Sequence, residues 1–368
     1  MPSAVGSAHL GPQGRDQGGH GEREAMRIDA ELMRVIHRVG MAGGFLFAWA
    51  DEWFKFTWNT IDLALPPDRR QLWINPWTNE AHFGLLAIEP GTIPVVIDGD
   101  RDEWGDNGSQ VIYESRGSVR EVRAVKDEAY LYLGIVTDDE NAWRDAPLVI
   151  GFDVLDGGSP VLPAVGDVGW DDGDYAVVIA PDGTAQVMVR GSVDALLLQY
   201  GVARGMVPYD EAGVAENTAT WNPHRLMLNR PLTIPSTGRS FPAEILEIGR
   251  LRRGTSDPAD PAFDSRATWQ ASGTFVELRL PYAAIGFADP SSLQAYRPHR
   301  DGTVSTETVD RVGIVVSLQG ERHDTRGYAW AGWQTVTWSE RPKAGIERIA
   351  EAVADVLGRD ASPRPQNP

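Results

Sequence analysis

The first regular pattern in the chain is helical. Over residues 22–39 the apolar residues recur at three- and four-residue spacing, which predicts an amphipathic helix with one buried stripe. The stripe consists of Ala25, Ile28, Leu32, Val35, Ile36 and Val39. Gly40 follows directly, and glycine is common where a helix ends. The next segment, residues 45–49, is short, continuous and apolar, which predicts a strand buried on both faces.

From about Thr92 the pattern changes to short β-branched and aromatic runs separated by Gly, Pro, Asp and Asn. Such spacing is typical of an antiparallel β-sandwich, jelly-roll-like in outline. The predicted strands cover residues 95–97, 119–125, 129–137, 148–154, 175–179, 185–189, 241–248, 275–280 and 311–317. The Gly-, Pro- and Asp-rich stretches 156–174 and 250–272 have weak periodicity, so we interpret them as surface loops.

The end of the chain carries a second amphipathic segment, over residues 343–357, with apolar residues at helical spacing. The final residues are polar and rich in proline, which predicts disorder. The chain therefore divides into an α/β part (1–91), a β-sandwich (92–340), an amphipathic helix (341–358) and a disordered tail (359–368). The predicted fold class is mainly β with an α/β part.

Composition narrows the possible functions. The 368 residues are 42% hydrophobic, enough to build at least one large core. A formal charge of −18 repels phosphate backbones and anionic headgroups, which argues against nucleic acid or a membrane surface as partner. The chain has no cysteine, so disulfides and thiolate chemistry are excluded. It also has no apolar stretch of ~20 residues for membrane insertion and no pattern of a signal peptide near Met1.

Three segments carry a resemblance to a known family. They are Ile97-Asp98-Gly99-Asp100 followed by Asp102, Glu103 and Trp104, then DEAYLYL at 127–133, and VELRLPY at 276–282. In this order they resemble the family-9-like carbohydrate-binding modules, and the resemblance covers about two thirds of the chain. It implies a β-sandwich, an oligo- or polysaccharide as partner and an extracytoplasmic location.

A second resemblance concerns the first part of the chain. The segments GRDQGGH at 14–20, GGFLFAW at 43–49, DEWFK at 51–55 and WSERPK at 338–343 resemble the C-terminal portion of the (β/α)8 (TIM) barrel of retaining glycoside hydrolases. This implies that Met1 corresponds to the end of the seventh strand and that an upstream barrel segment is a partner. Such enzymes use carboxyl groups on the fourth and seventh strands, and both would lie upstream of Met1.

Asp51 and Glu52 are the candidate catalytic residues within the chain itself. They follow the predicted strand 45–49 directly, and active sites of parallel α/β barrels form at the carboxyl ends of strands. Adjacent residues at a strand end point in opposite directions, so at most one of them faces a pocket. The alternative is a cap or a salt bridge with Lys55.

Tryptophans are the candidate carbohydrate-binding residues, because sugar rings stack on flat aromatic faces. The candidates next to polar loops are Trp143, Trp170, Trp221, Trp269, Trp330 and Trp333. The alternative for each is a structural role at a loop crossing or at the interdomain seam. His20, in a glycine-rich loop, is a further candidate for contact with a sugar hydroxyl, with plain solvent exposure as its alternative.

Asp98, Asp100 and Asp102 alternate along the chain and could offer hard oxygen ligands to a structural calcium ion. The EF-hand formula fails here, because Glu103 occupies the glycine position and Ser109 the position of the bidentate glutamate. Local Asx hydrogen bonds in a turn explain the same segment. No other cofactor is predicted.

These observations predict a non-catalytic carbohydrate-binding module joined to an incomplete glycoside hydrolase-like barrel. Two alternatives remain open. The chain could be the C-terminal part of a retaining glycoside hydrolase whose catalytic segment lies upstream of Met1, or a structural and interaction module, since sandwich folds host many functions.

Overall fold

The computed structural model describes residues 9–10, 16–17, 19–78, 80–170, 172–210, 212–215 and 219–360. Two antiparallel sheets dominate it. Their strands are, in chain order, β1 (Gln110–Glu114), β2 (Val119–Lys126), β3 (Tyr130–Thr137), β4 (Leu148–Asp153), β5 (Tyr175–Ile179), β6 (Ala185–Arg190), β7 (Trp221–Pro223), β8 (Arg250–Leu251), β9 (Trp269–Ser272), β10 (Phe275–Pro281), β11 (Gly313–Leu318) and β12 (Glu321–Asp324).

All strand pairs in the two sheets are antiparallel; many join neighbours in sequence, but β3–β10 and β4–β11 join distant parts of the chain. The smaller sheet has the order β9-β10-β3-β2-β1. The larger sheet has the order β7-β6-β5-β4-β11-β12. Strand β7 pairs with the end of β6, and β8 pairs with the start of β6 on the same edge, through Ala185 and Leu251. The prediction of a mainly β, antiparallel fold is therefore confirmed.

The two sheets share one apolar core. In β3 the residues Leu131, Leu133 and Ile135 point into it, and Ile150 and Val177 meet them from the larger sheet. All five are fully buried. Burial of one such side chain stabilises the fold by about 1.5–3 kcal/mol, so this alternation is what holds the sandwich together.

The outer face of the smaller sheet is covered by the segment that enters the sandwich. Trp104 lies flat on Gly134 of β3, where a Cβ atom would come within 3.1 Å of the indole. Glu277 of β10 holds the segment in place, because its carboxylate accepts hydrogen bonds from the backbone amides of Asp98 and Gly99, both at 2.6 Å, and from Trp104 Nε1 at 3.0 Å. Val95 and Ile97 are buried, but residues 95–97 form no strand, contrary to the prediction.

The three segments of the family-9-like resemblance thus meet in space. Besides the Glu277 contacts, the Asp127 carboxylate accepts a hydrogen bond from the Tyr132 hydroxyl at 2.7 Å. The Tyr282 hydroxyl donates to the Asp127 backbone carbonyl at 2.7 Å. Each of these residues therefore has a structural role in joining the sheet to its neighbouring segments.

Two helices pack against each other outside the sandwich. The N-terminal helix is Glu22–Arg38 and the C-terminal helix is Glu347–Asp360, and they share a small apolar core. The N-terminal helix matches its prediction closely. The C-terminal helix begins four residues later than predicted, because residues 343–346 form a turn in which Gly345 has φ +91°. It extends into the predicted tail as far as Asp360, and residues 361–368 lie outside the described residues.

The predicted buried strand at residues 45–49 is wrong. This segment forms no strand; the chain directly after it makes a parallel bridge between Ala50 and Leu86. No layer of the described residues covers its outer side, so Phe45 is fully exposed and Trp49 is 72% exposed. We call the exposed side chains of Phe45, Phe47, Trp49, Phe54 and Phe56 the aromatic surface. The described residues form no closed (β/α)8 barrel, and the fragment remains a hypothesis.

The remaining elements are short. The other strands are His9–Leu10, Asp16–Gln17, Leu86–Pro90, Val161–Leu162, Gly166–Asp167, Arg225–Asn229, Leu232–Thr233, Ser240–Phe241, Glu244–Glu247, Phe287–Asp289, Gln294–Pro298, Val304–Thr308 and Trp338–Pro342. The other helices, mostly single turns, are Ile61–Leu63, Pro67–Leu72, Asp102–Gly105, Ala142–Asp145, Gly191–Val193, Leu196–Ala203, Ala212–Val214, Tyr282–Ile285 and Pro290–Ser292. Among the described residues, no helix has the length and apolar character needed to cross a bilayer.

Candidate functional site

The six candidate tryptophans lie in three separate places. Trp143 and Trp269 are fully buried in the sandwich core, with ring centroids 5.7 Å apart in an edge-to-face arrangement. Trp269 belongs to strand β9, and Trp143 to the short helix Ala142–Asp145. The expectation that these two rings are accessible in loops is therefore wrong, because both segments turn inward between the sheets.

Trp333 lies at the seam between the sandwich and the N-terminal region, and Trp330 packs on Tyr282, Phe287 and Tyr328 of the sandwich. Trp333 Nε1 donates a hydrogen bond to the backbone carbonyl of Leu72 at 2.6 Å, and Lys126 Nζ lies 3.8 Å from the centroid of the Trp333 ring. Trp330 Nε1 donates to the carbonyl of Pro290 at 3.0 Å. Both side chains are half-buried, and their contacts fit the alternative of a structural role rather than an open binding platform.

Trp170 and Trp221 lie on the outer face of the larger sheet. The hairpin formed by Val161–Leu162 and Gly166–Asp167 crosses this face. Trp170 packs directly on Gly151 of β4, where a Cβ atom would come within 2.5 Å of the ring. Trp221 Nε1 donates a hydrogen bond to the Val161 carbonyl at 2.7 Å, which ties the hairpin to the sheet. Both rings remain partly exposed.

A groove of about 860 Å³ opens beside this hairpin. Its floor consists of the outward-facing side chains of β5 and β6, namely Val178, Gln186 and Met188, because their neighbours in each strand point into the core. Pro163 and Ala164 of the hairpin border one side, and residues 250–253 border the other. Its volume lies in the usual range of about 300–1,000 Å³ for ligand sites.

The floor of the groove contains an unpartnered donor. Gln186 Nε2 is buried and has no hydrogen-bond partner among the described residues. A buried amide N–H without a partner costs about 1–3 kcal/mol, so rotation of this side chain toward the groove would be favourable where it gains an acceptor there. The mix of an apolar floor with polar walls suits a ligand that has both C–H and hydroxyl surfaces.

Asp51 is buried at the seam below the aromatic surface. Lys343 Nζ donates to Asp51 Oδ1 at 2.7 Å, the Gly84 amide donates to the same oxygen at 2.9 Å, and His82 Nδ1 lies 3.6 Å from Oδ2. Burial alone would raise the pKa of Asp51, but the interactions with His82 and Lys343 outweigh burial and hold the pKa below its usual value. The carboxylate is therefore ionised at neutral pH and unsuited to donate a proton.

Asp51 borders only a narrow cavity of about 80 Å³, while Glu52 points away from it, as expected for adjacent residues. Glu52 Oε2 accepts a hydrogen bond from Lys55 Nζ at 2.9 Å. This contact matches the salt-bridge alternative for Glu52. Within the described part of the chain, neither carboxylate lines the groove or the clefts of comparable size.

The three aspartates of the predicted calcium site are exposed and engaged with the local backbone. Asp98 Oδ1 accepts the Asp100 amide at 2.7 Å, and Asp100 Oδ1 accepts the Arg101 amide at 2.6 Å. The Asp102 amide also donates to Asp100 Oδ1, at 3.2 Å. Among the described residues, no cluster of three or more His, Asp or Glu side chains is arranged to hold a metal ion.

His20 is half-buried just before the N-terminal helix. The neighbouring Gly19 carbonyl accepts a hydrogen bond from the Arg266 guanidinium, at the edge of a second cleft of about 450 Å³. This cleft lies on the other side of β8 from the groove and shares Arg250 and Arg252 with it. The structure therefore places His20 apart from Trp170 and Trp221.

Sequence reasoning missed the groove itself. Its walls come from segments predicted as surface loops, 156–174 and 250–272, and its floor from the outer face of two predicted strands. The alternation in β5 and β6 signalled which side chains point outward, but the pairing of β8 with β6 had no signal in the sequence. Comparisons with protein-family models, curated proteins and solved structures find no match to this chain.

Proposed function

We propose that the sandwich binds a saccharide in the groove on the outer face of the larger sheet. The observation that carries this proposal is the groove of about 860 Å³ beside the hairpin that Trp170 and Trp221 hold in place. A preformed concave site with apolar and polar surfaces is the usual form of a small-molecule site. The sugar's axial C–H groups would lie over Val178 and Met188, and its hydroxyls would face Gln186 and the arginine wall.

Binding without cleavage fits the carboxylates better than catalysis. Glycoside hydrolysis requires two carboxyl groups on either side of the scissile bond, about 5–9.5 Å apart. Asp51 is paired with Lys343 inside the seam, and Glu52 is paired with Lys55. We therefore assign recognition and retention of a glycan to the sandwich, and we assign no bond cleavage to Asp51 or Glu52.

A glycan panel tests this proposal. Isothermal titration of the full chain against neutral and acidic oligosaccharides should give binding to at least one class. A Met188→Trp variant should weaken it at least tenfold, because an indole at this position fills the groove floor. Leu232→Trp, on an exposed hairpin away from the groove, is the matched control and should leave binding unchanged. Absence of binding across the panel would refute the proposal.

The aromatic surface favours a second function for the N-terminal region. Five exposed aromatic side chains lie within twelve residues of the sequence. Large exposed apolar patches are uncommon on soluble monomers and mark interaction sites. We propose that they pack against further βα units of a glycoside hydrolase-like barrel. Such units are the partner that the resemblance of the GGFLFAW and DEWFK segments to glycoside hydrolase barrels implies.

The second proposal has a direct test. The DNA upstream of Met1 is translated in frame, and the longer chain, if the frame stays open, is expressed beside the present one. Protection of Trp49 from hydrogen exchange or from quenching by acrylamide in the longer chain would support packing. An upstream stop codon close to Met1, or an equally accessible Trp49, would contradict it.

A further inference from the structure

The groove wall has an unusual charge for this protein. Residues 249–254 read GRLRRG, and three of these residues, Arg250, Arg252 and Arg253, line the groove in a chain whose formal charge is −18. All three side chains are exposed, with Arg250 78% exposed. Guanidinium groups placed along one wall of a cavity raise the local potential and attract anionic groups.

The neighbouring carboxylates only partly neutralise this wall. Arg250 lies 3.4 Å from Glu247, and Arg252 contacts Asp264, which also pairs with Arg266 at 3.1 Å. Asp182, at the turn that joins β5 to β6, accepts hydrogen bonds from Thr184 beside the groove. Of the three guanidinium groups that line the groove, those of Arg250 and Arg252 each contact a carboxylate, and that of Arg253 contacts none among the described residues, so one cation of the wall is uncompensated.

Arg253 is held in position without a carboxylate contact among the described residues. Its Nε donates to Gln270 Oε1 at 2.8 Å and its Nη2 to the Ala271 carbonyl at 3.0 Å. Its guanidinium carbon also lies 5.3 Å from the Trp269 ring centroid and 5.6 Å from the Trp143 ring centroid. These contacts fix the cation at the groove before any ligand arrives, which lowers the entropic cost of binding.

We infer that the groove selects saccharides that carry an acidic group, either the carboxylate of a uronic acid or a sulfate ester. This inference rests on the proposed function, because it names the ligand class of the same groove. Arginine pairs with both anions through parallel N–H···O bonds.

The test compares matched oligosaccharides by titration calorimetry. The probes are oligogalacturonate, a sulfated galactan oligosaccharide and a neutral galactan oligosaccharide of equal length. We expect the acidic ligands to bind at least tenfold more tightly than the neutral one at low ionic strength. Preference for the uronate over the sulfated probe, or the reverse, identifies which anion is recognised, and the advantage should shrink as salt rises.

The double variant Arg250→Ala/Arg252→Ala sharpens the test. Since a hydrogen bond to a charged group is worth about 1.5–3 kcal/mol, we expect the loss of two such contacts to weaken acidic-ligand binding by at least about a hundredfold and neutral-ligand binding little. Arg116→Ala, an exposed arginine at the β1–β2 turn of the smaller sheet, removes a charge elsewhere and should have no such effect.

The outcomes separate the two proposals. Tight binding of the neutral ligand alone, abolished by Met188→Trp, would overturn the acidic selectivity and leave saccharide binding intact. No binding of these probes while another neutral glycan of the panel binds would overturn the acidic selectivity alone, and no binding across the whole panel would overturn both. Acidic-ligand binding that Arg116→Ala weakens as much as the double variant would show a nonspecific charge effect and would also overturn the inference.

Discussion

The sandwich and the N-terminal region contain similar apolar residues, but these residues are buried in the sandwich and several of them are exposed in the N-terminal region. In the sandwich, both faces of the smaller sheet are covered, and Trp104, Trp143 and Trp269 are fully buried. In the N-terminal region, Phe45 and Trp49 stand in solvent although their local sequence is equally apolar. The difference shows that an apolar run indicates where a covering layer is required, not whether the chain itself supplies that layer.

The largest expected loss of stability comes from removing a buried side chain of the sandwich. Trp269→Ala should lower the free energy of unfolding by about 3–5 kcal/mol, because it leaves a cavity between the sheets. Trp338→Ala, which removes an indole that is 59% exposed, should cost less than about 0.5 kcal/mol. Chemical denaturation of both variants measures the contrast, and equal costs would show that the core packing described above is wrong.

The next effect concerns the ion pair at the seam. Lys343→Met leaves the Asp51 carboxylate buried without its cation and should cost about 3 kcal/mol, at the low end of the usual range because Gly84 and His82 still contact it. In the double variant Lys343→Met/Asp51→Leu the uncompensated charge is gone, so at least half of the lost stability should return. Urea unfolding midpoints decide this, and an additive loss in the double variant would contradict the ion-pair explanation.

A third, smaller effect depends on pH. Burial lowers the pKa of His224 to about 4, and its ring lies 4.8 Å from that of Trp77. The unfolded chain therefore takes up this proton at higher pH than the folded chain, so the contribution to stability is complete above the unfolded pKa near 6.5 and is lost as pH falls towards 4. Relative to His224→Phe, the native chain should lose about 1 kcal/mol per pH unit in this window.

The quantity to measure is the difference in unfolding free energy between the native chain and His224→Phe, because other groups change the stability in the opposite direction as pH falls. Burial raises the pKa of Glu277 to about 7, so Glu277 favours the folded state as pH falls from about 7 towards 4.5. This contribution is common to both chains and cancels. A pH-independent difference between the native chain and His224→Phe would show that the imidazole is not buried in a neutral form.

The smallest effect on stability is expected on the aromatic surface. Phe45→Ser/Trp49→Ser should change the free energy of unfolding by less than about 0.5 kcal/mol per site, because both side chains already lie in solvent. The same change should reduce self-association at high protein concentration, as measured by sedimentation velocity. A loss of several kcal/mol would mean that these side chains are packed, and would remove the basis of the second proposed function.

Much of the sandwich could be predicted because alternation is a local signal. The bounds of β5 matched its prediction, and β2, β3, β4, β6, β10 and β11 matched within one or two residues. Strands β1, β7, β8, β9 and β12 and the strands Phe287–Asp289, Gln294–Pro298 and Val304–Thr308 were not predicted, and the predicted strand 241–248 is divided between Ser240–Phe241 and Glu244–Glu247. The segment 45–49 was misplaced, since its apolar run lacks a cover within the described residues.

The candidate site was less predictable, because it depends on contacts between distant segments. The tryptophans were chosen for their polar neighbours in sequence, yet Trp143 and Trp269 point inward, Trp330 packs on aromatic residues of the sandwich and Trp333 joins two regions. The groove combines residues 163–164, 178–188 and 250–253, which become neighbours only through the order of the strands. The arginine cluster was visible in the sequence, but its location beside β6 was not.

The hydrogen bonds of Glu277 have a consequence for how the protein is made. The amide of Asp98 is separated from Glu277 by 179 residues, which a ribosome adding roughly 5–20 residues per second synthesises in on the order of 10–40 s. Throughout that interval the entry segment has emerged while its acceptor does not yet exist. A nascent chain stalled before Glu277 should therefore leave residues 98–104 open to chaperones and proteases, and one stalled well beyond it should not.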